Sequence, residues 1–317
     1  MGASVELGWM SAVLALAALA VPLVLSQMMF AATGAGGGAA PPLLDVRGAA
    51  VAAARAAVQL TCLASVLVPV FARDAWWLTL LTLSAMTLIA TSEATGRSPY
   101  RFPGMRVRVM ASMGATAVLL ASWALGLVLR VGLEARYAIP ITGMLLGNAT
   151  SAVSVGLAAL LKELAESPKR VEALLVLGAT RWEATLDVMS SALRLATTPV
   201  VNQMRLIGLV SIPGMMTGQL LGGTAPAQAA LYQAVIIYLI SAMAMLTVAL
   251  TALQAVEAMF DSLDRLRPER LTPRSKEGFA ERAYAALRER LVRRPPPTNA
   301  AADDDGDDEA PLMRTRA

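Results

Sequence analysis

The chain has 317 residues, 56% of them hydrophobic and only 16% charged, with a net charge of +4. That composition excludes an ordinary soluble domain, which needs a charged surface. Histidine is absent, which removes the commonest general base and transition-metal ligand, and the single cysteine, Cys62, excludes an internal disulfide.

A membrane span needs roughly 20 mostly apolar residues. Seven runs qualify, at about 8–29, 50–71, 75–92, 109–130, 138–160, 199–222 and 229–258. The first follows Glu6 with no basic residue ahead of it, which favours a span over a cleaved signal peptide. Residues 30–45, rich in glycine, alanine and proline, read as a flexible linker. Arg55 and Gln59 in the second run are four apart and share one helix face. A charge there faces the protein interior or a wet cavity, or else snorkels from the end of the span, and both placements stand. Glu93 ends the third run, in reach of a loop arginine. In the fifth run Gly143 and Gly147 form a small-residue face, followed by Asn148 and Thr150. Helix packing is the expected role of these glycines, and interhelical hydrogen bonding that of Asn148.

Between the fifth and sixth runs lies a stretch with two amphipathic helices. Val171, Leu174, Leu175 and Leu177 pattern the first, and Gly178 interrupts it. Trp182, Leu186 and Met189 then renew an apolar stripe, with Arg181, Glu183 and Asp187 expected to be exposed. Such a hairpin outside the bilayer implies something that docks on it. The sixth run opens at Pro199 and carries Asn202, then Pro213 at the head of Gly214, Met215, Met216, Thr217, Gly218, Gln219 and Gly222. Glycines every four residues share a face where a second backbone can approach, and Pro213 invites a kink. Asn202 and Gln219 are polar groups for helix contacts or a pathway. Methionine thioethers suit Cu(I), yet methionine also fills gaps in cores, so no metal site is assigned to Met215 and Met216.

Arginine and lysine set the orientation. The loops with Arg47, with Arg97, Arg101, Arg106 and Arg108, and with Lys162, Lys169, Arg170, Arg181 and Arg194 share one side in a seven-span chain, together with the arginine-rich tail. This places the N-terminus outside and the C-terminus in the cytosol. The expected fold is therefore an all-α integral membrane protein with about seven transmembrane helices. A permease domain occupies 1–262, with a cytosolic helical hairpin at about 162–198 between helices 5 and 6. A charged cytosolic tail, partly disordered, occupies 263–317.

Glu172, Ala173 and Gly178, in the run E-A-L-L-V-L-G, resemble the docking loop of ABC-importer permeases, although that family's proline is missing at its expected distance. A closer resemblance follows from motifs in order: Ile139–Leu157, Val171–Thr180, Pro199–Met204, Gly208–Gly223, Ala229–Gln233 and the Arg55–Leu60 run. Together they resemble the FetB-type permeases, a family that includes the plant aluminium-sensitivity proteins, over roughly residues 48–260. The glycine-rich linker and the long tail depart from that family.

The resemblance implies an export-type ABC transporter permease, energised by a separate ATP-binding subunit that docks through Glu172, Ala173, Leu177, Gly178, Ala179 and Thr180. The sequence has no G-x-x-x-x-G-K-[S/T] phosphate loop, so ATP would be bound by the partner and the chain itself would hold no cofactor. A homodimer in the lipid bilayer is expected, without nucleic acid, and with a metal ion such as iron or a nucleotide sugar as substrate. An ATP-independent carrier or channel and a membrane scaffold are the alternatives, and no catalytic residue is assigned.

Overall fold

In the computed structural model, the structure describes residues 46–73, 75–261 and 263–273. The first apolar run, the glycine-rich linker and the tail beyond Pro273 lie outside the described residues. The helices are α1 (Val46–Arg73), α2 (Trp76–Gly96), α3 (Met105–Trp123), α4 (Ala135–Glu166), α5 (Pro168–Val176), α6 (Arg181–Leu206), α7 (Gly214–Leu221) and α8 (Pro226–Met259). A π-helical turn, Ala124–Val128, prolongs α3. Five of these helices, α1, α2, α3 with its extension, α4 and α8, are long and apolar enough to cross a membrane. The fold is all-α apart from one short pairing of β1 (Tyr100–Arg101) with β2 (Thr272–Pro273).

The expected span 199–222 is not one helix. Its first part belongs to α6, which runs through Pro199 without a break. The backbone then leaves helical geometry from Ile207 to Pro213, and α7 is only 8 residues long. Leu206 closes the break locally: its carbonyl accepts from the amides of Leu209, Val210 and Ser211 at 3.0–3.3 Å. Gly208, at φ +82°, donates to the carbonyl of Ser211.

α4 is the centre of the bundle and packs against α2, α6 and α8. Its buried face is a ladder of Leu145, Leu146, Val153, Leu157, Leu160, Leu161 and Leu164. With 32 residues it measures about 48 Å, more than the ~30 Å of a hydrocarbon layer, so its charged end stands clear of the apolar zone. α6 approaches α4 and α8 with small residues: Ala184, Thr185, Val188, Ala192, Ala196 and Val200 are buried. The larger Trp182 and Leu186, expected on the packed stripe, are exposed. Close backbone approach selects small side chains on the inner face, and the large apolar groups turn outward.

Hydroxyls link the spans. Thr116 Oγ1 and Thr247 Oγ1 are 2.8 Å apart between α3 and α8, and Ser154 Oγ donates to the Ala94 carbonyl at 3.4 Å between α4 and α2. After α8 the chain turns back on the bundle. Arg270 donates to the carbonyls of Ala258 and Phe260 at 2.8 and 3.0 Å, and Leu266 and Leu271 are buried. The segment 263–273, assigned to the tail by composition, is thus attached to the bundle.

Gly156 sits at a close helix crossing. A Cβ there would stand 2.9 Å from Val248 Cγ1 and 3.0 Å from Ala196 Cβ. Gly156→Ala should therefore destabilise the protein by about 1–3 kcal/mol through overpacking. Gly147→Ala, where a Cβ meets nothing within 4 Å, should leave the thermal midpoint of the purified protein unchanged.

Candidate functional site

The hairpin expected between two spans forms at the basic end of the bundle, and local chemistry fixes its shape. Gly178 takes φ +91°, a conformation that costs an L-residue about 1–2 kcal/mol. That left-handed residue lets the Gly178 amide donate to Leu175 and the Ala179 amide to Leu174, at 3.0 and 3.1 Å, which closes the end of α5. Thr180 then caps α6: its hydroxyl oxygen accepts from the Glu183 amide at 3.4 Å, and Glu183 Oε2 accepts from the Thr180 amide at 2.8 Å. Val171, 1% exposed, anchors α5, while Arg170 and Asp187 pair across the hairpin at 2.8 Å. Arg181 is half-buried, contrary to the expected exposure, because it pairs with Asp264 at 3.2 Å.

The turn presents apolar surface outward. Val176 and Leu177 are 87% and 82% exposed, and Leu186 is 63% exposed nearby in sequence, with Glu172, Ala173 and Thr180 also exposed and Ala179 half-buried. Of the residues assigned to docking, Glu172, Ala173, Leu177, Gly178 and Thr180 therefore lie at the surface of one rigid turn.

The glycine ladder is open. A Cβ on Gly214 or Gly218 would meet nothing within 4 Å, and on Gly222 only the nearby carbonyls of Gly218 and Gln219. Among the described residues no second helix enters the space that these glycines leave. Pro213 occupies the N-cap of α7 and starts a helix where a kink was expected. Met215 packs on the core and Met216 and Gln219 are half-buried, whereas Thr217 is exposed. Thr217 Oγ1 donates to the Pro213 carbonyl at 3.1 Å.

Arg55 pairs with Glu93 at 3.5 Å, and Glu93 also holds Arg97 at 2.9 Å. This cluster ties α1 to the basic end of α2. Gln59, one turn further in, is exposed. Gly143 packs under Met86, where a Cβ would come within 2.8 Å of the methionine Cε. Asn148 donates to the Met144 carbonyl of its own helix at 2.9 Å and makes no interhelical bond. Asn202 is exposed on α6. Those predicted residues therefore fall into separate groups: a hairpin, a broken helix, and helix contacts around α2 and α4.

Sequence reasoning missed the outer face of α6. Asp187, Ser191, Arg194, Thr198, Asn202 and Arg205 recur every three or four residues, and all are exposed. The signal was present as a polar period of 3.6, but five charged residues in α6 made the stretch to residue 198 read as a cytosolic helical hairpin, with a new span from Pro199.

An apolar cavity of about 650 Å³ lies between α2 and α3, reaching the start of α4. Leu83, Thr87, Gly114, Ala121 and Thr142 help to line it, and the buried Thr142 hydroxyl has no partner there. None of the predicted site residues lines it.

The cap yields a pH dependence. The Thr180 amide and hydroxyl hold the Glu183 carboxyl below its ordinary pKa. Its stabilisation is therefore present above the unfolded-state value and lost as pH falls through the lower folded value. Protection of the first α6 turn, taken relative to the intrinsic exchange rate, should fall several-fold as pH drops through the lowered value of Glu183. Thr180→Ala should lower that protection at neutral pH and shrink the acid step, since the residue-180 amide still donates to Glu183.

A family model described as an uncharacterised protein family, UPF0014, matches residues 43–260. The chain is 35% identical over 191 residues to a UPF0014 membrane protein of Synechocystis, covering 60% of this chain and 74% of that one. It is 29% identical over 216 residues to the "Probable iron export permease protein FetB" of Escherichia coli, covering 67% and 81%. Over 101 residues it is 41% identical to the protein ALUMINUM SENSITIVE 3 of Arabidopsis thaliana, covering 32% and 37%. No solved structure matches the chain. With five helices able to span a bilayer and a family match over two thirds of its length, the chain is an integral multi-pass membrane protein and belongs to the UPF0014 family.

Proposed function

We propose that this chain is the membrane permease subunit of an export-type ABC transporter, driven by a separate ATP-binding subunit. The observation that carries the reading is the α5–α6 turn. It is rigid, stands at the basic end of the bundle, and exposes Val176 and Leu177 almost completely. Exposed aliphatic groups on a fixed short helix, flanked by Lys169, Arg170 and Glu172, suit insertion into a groove of a partner, with the charges setting the register.

The basic end is then the cytosolic side. The relative from Escherichia coli named as an iron export permease supports transport as the activity class. ATP belongs to the partner, which supplies the nucleotide chemistry, and the permease acts as a homodimer with no cofactor of its own. The substrate classes proposed are a metal ion such as iron, which the name of the Escherichia coli relative carries, and a nucleotide sugar, which the family resemblance adds.

The test is co-purification from native membranes. An ABC-type ATPase should be recovered with the wild-type permease, and Val176→Asp or Leu177→Glu should lower its recovery tenfold or more. Both positions are exposed, so the permease should keep its thermal midpoint. Recovery that survives both changes would overturn the assignment of docking to this turn, and no associated ATPase at all would move the chain to the carrier or scaffold class.

A further inference from the structure

α6 ends halfway through the bundle. Ser241 Oγ donates to Met204 Sδ at 3.3 Å, which fixes the level of the α6 C-terminus against α8. At 1.5 Å per residue, Ser241 stands about 22 Å from Pro226 at one end of α8 and about 24 Å from Glu257 near the other. Glu257 pairs with Arg108 at 3.6 Å and so marks the basic end. Arg205 and the start of the Ile207–Pro213 break therefore lie near mid-depth.

Two features there are incompatible with lipid. Non-helical backbone at mid-depth is tolerated only against protein or beside water, yet Leu209 and Val210 of the break are 87% and 79% exposed. Arginine at this depth is strongly disfavoured unless it is paired or wet. Among the described residues the guanidiniums of Arg205 and of Arg194, about 16 Å nearer the basic end, meet no carboxylate. The apolar run 8–29 contains no carboxylate to offer either. From Arg194 inward the exposed face of α6 thus carries Thr198, Asn202, Gln203 and a second cation unpaired among the described residues, beside Leu195 and Leu206, with no acidic residue.

We propose that this face and the break line a water-filled solute path, and that Arg194 and Arg205 make the path select anions. The solute class is one rich in anionic oxygens, a phosphate ester or a polycarboxylate. A metal would pass only inside an anionic complex, since a bare cation would meet two positive charges. The proposal rests on the permease reading for its purpose, but its test needs no ATPase and no known substrate.

The full chain carrying Cys62→Ser and Asn202→Cys is placed in lipid nanodiscs. It is treated in parallel with an anionic sulfonatoethyl and a cationic trimethylammonioethyl methanethiosulfonate. Rates are normalised to those on a small free thiol. Asn202→Cys should react with both reagents and favour the anionic one about tenfold or more, as a focused positive potential requires. Adding Arg205→Gln should cut that preference several-fold, and Arg205→Lys should retain it. Arg194→Gln provides the same readout if Arg205→Gln does not fold. Failure of both reagents at Asn202→Cys while Ser191→Cys reacts would overturn the proposal, as would a cation preference or indifference to both arginine changes. Loss of ATPase association would leave these outcomes untouched, so the two readings fail separately.

Discussion

The arrangement depends on one rule of the bilayer, that a polar backbone or a charge cannot rest against hydrocarbon without a partner. α2, α3, α4 and α8 obey it by closing their backbone bonds internally and by turning threonine and serine hydroxyls onto their own carbonyls or onto one another. α6 obeys it differently. Its inner face is a row of small residues pressed against α4 and α8, and its outer face carries a polar stripe from Asp187 to Arg205 beside the exposed Trp182, Leu186, Leu195 and Leu206. Such a helix can be stable only where the outer face is wet or covered. A helix with this division belongs at a cavity.

The same helix begins at the hairpin. Thr180 and Glu183 cap it, and from Arg181 to Leu206 it runs about 39 Å without interruption. It is thus a single rigid element whose one end is the exposed turn and whose other end is the mid-depth break. A partner that shifted the turn would move the break with no intervening joint. Gly178 lies outside this rod, at the end of α5, where its left-handed backbone fixes the angle between the two helices. The Arg170–Asp187 pair spans that angle, but both groups are exposed and water weakens the pair. The angle therefore depends more on the capping bonds and on buried Val171 than on charge.

The sequence made much of this legible. Runs of apolar residues located the five long helices within a few positions, and Gly178 marked the hairpin because a left-handed residue there needs glycine. The glycine ladder was visible but its role was not. Gly214, Gly218 and Gly222 share a period with packed helices, yet a side chain on Gly214 or Gly218 would face open space and one on Gly222 only the carbonyls of its own helix. Period reports which residues share a face and is silent on what that face meets. The opposite case is Gly156, which packs closely against Val248 and Ala196 but has no glycine partner four residues away and so gave no pattern. Pro199 and Pro213 were misread for a related reason. Proline at an exposed helix position is tolerated within α6, and proline before a helix starts one, so neither produces the single kinked span that composition suggested.

The central claim is that the outer face of α6 stays in contact with water from the hairpin to mid-depth. Nitroxide labels placed singly from Asp187 to Arg205, in bilayers, report it by their relaxation with a water-soluble nickel chelate against oxygen. The account predicts chelate accessibility with maxima every three to four residues, at 187, 191, 194, 198, 202 and 205, persisting to the break. Accessibility that falls away beyond Ser191, with oxygen dominating at Asn202 and Arg205, would contradict it.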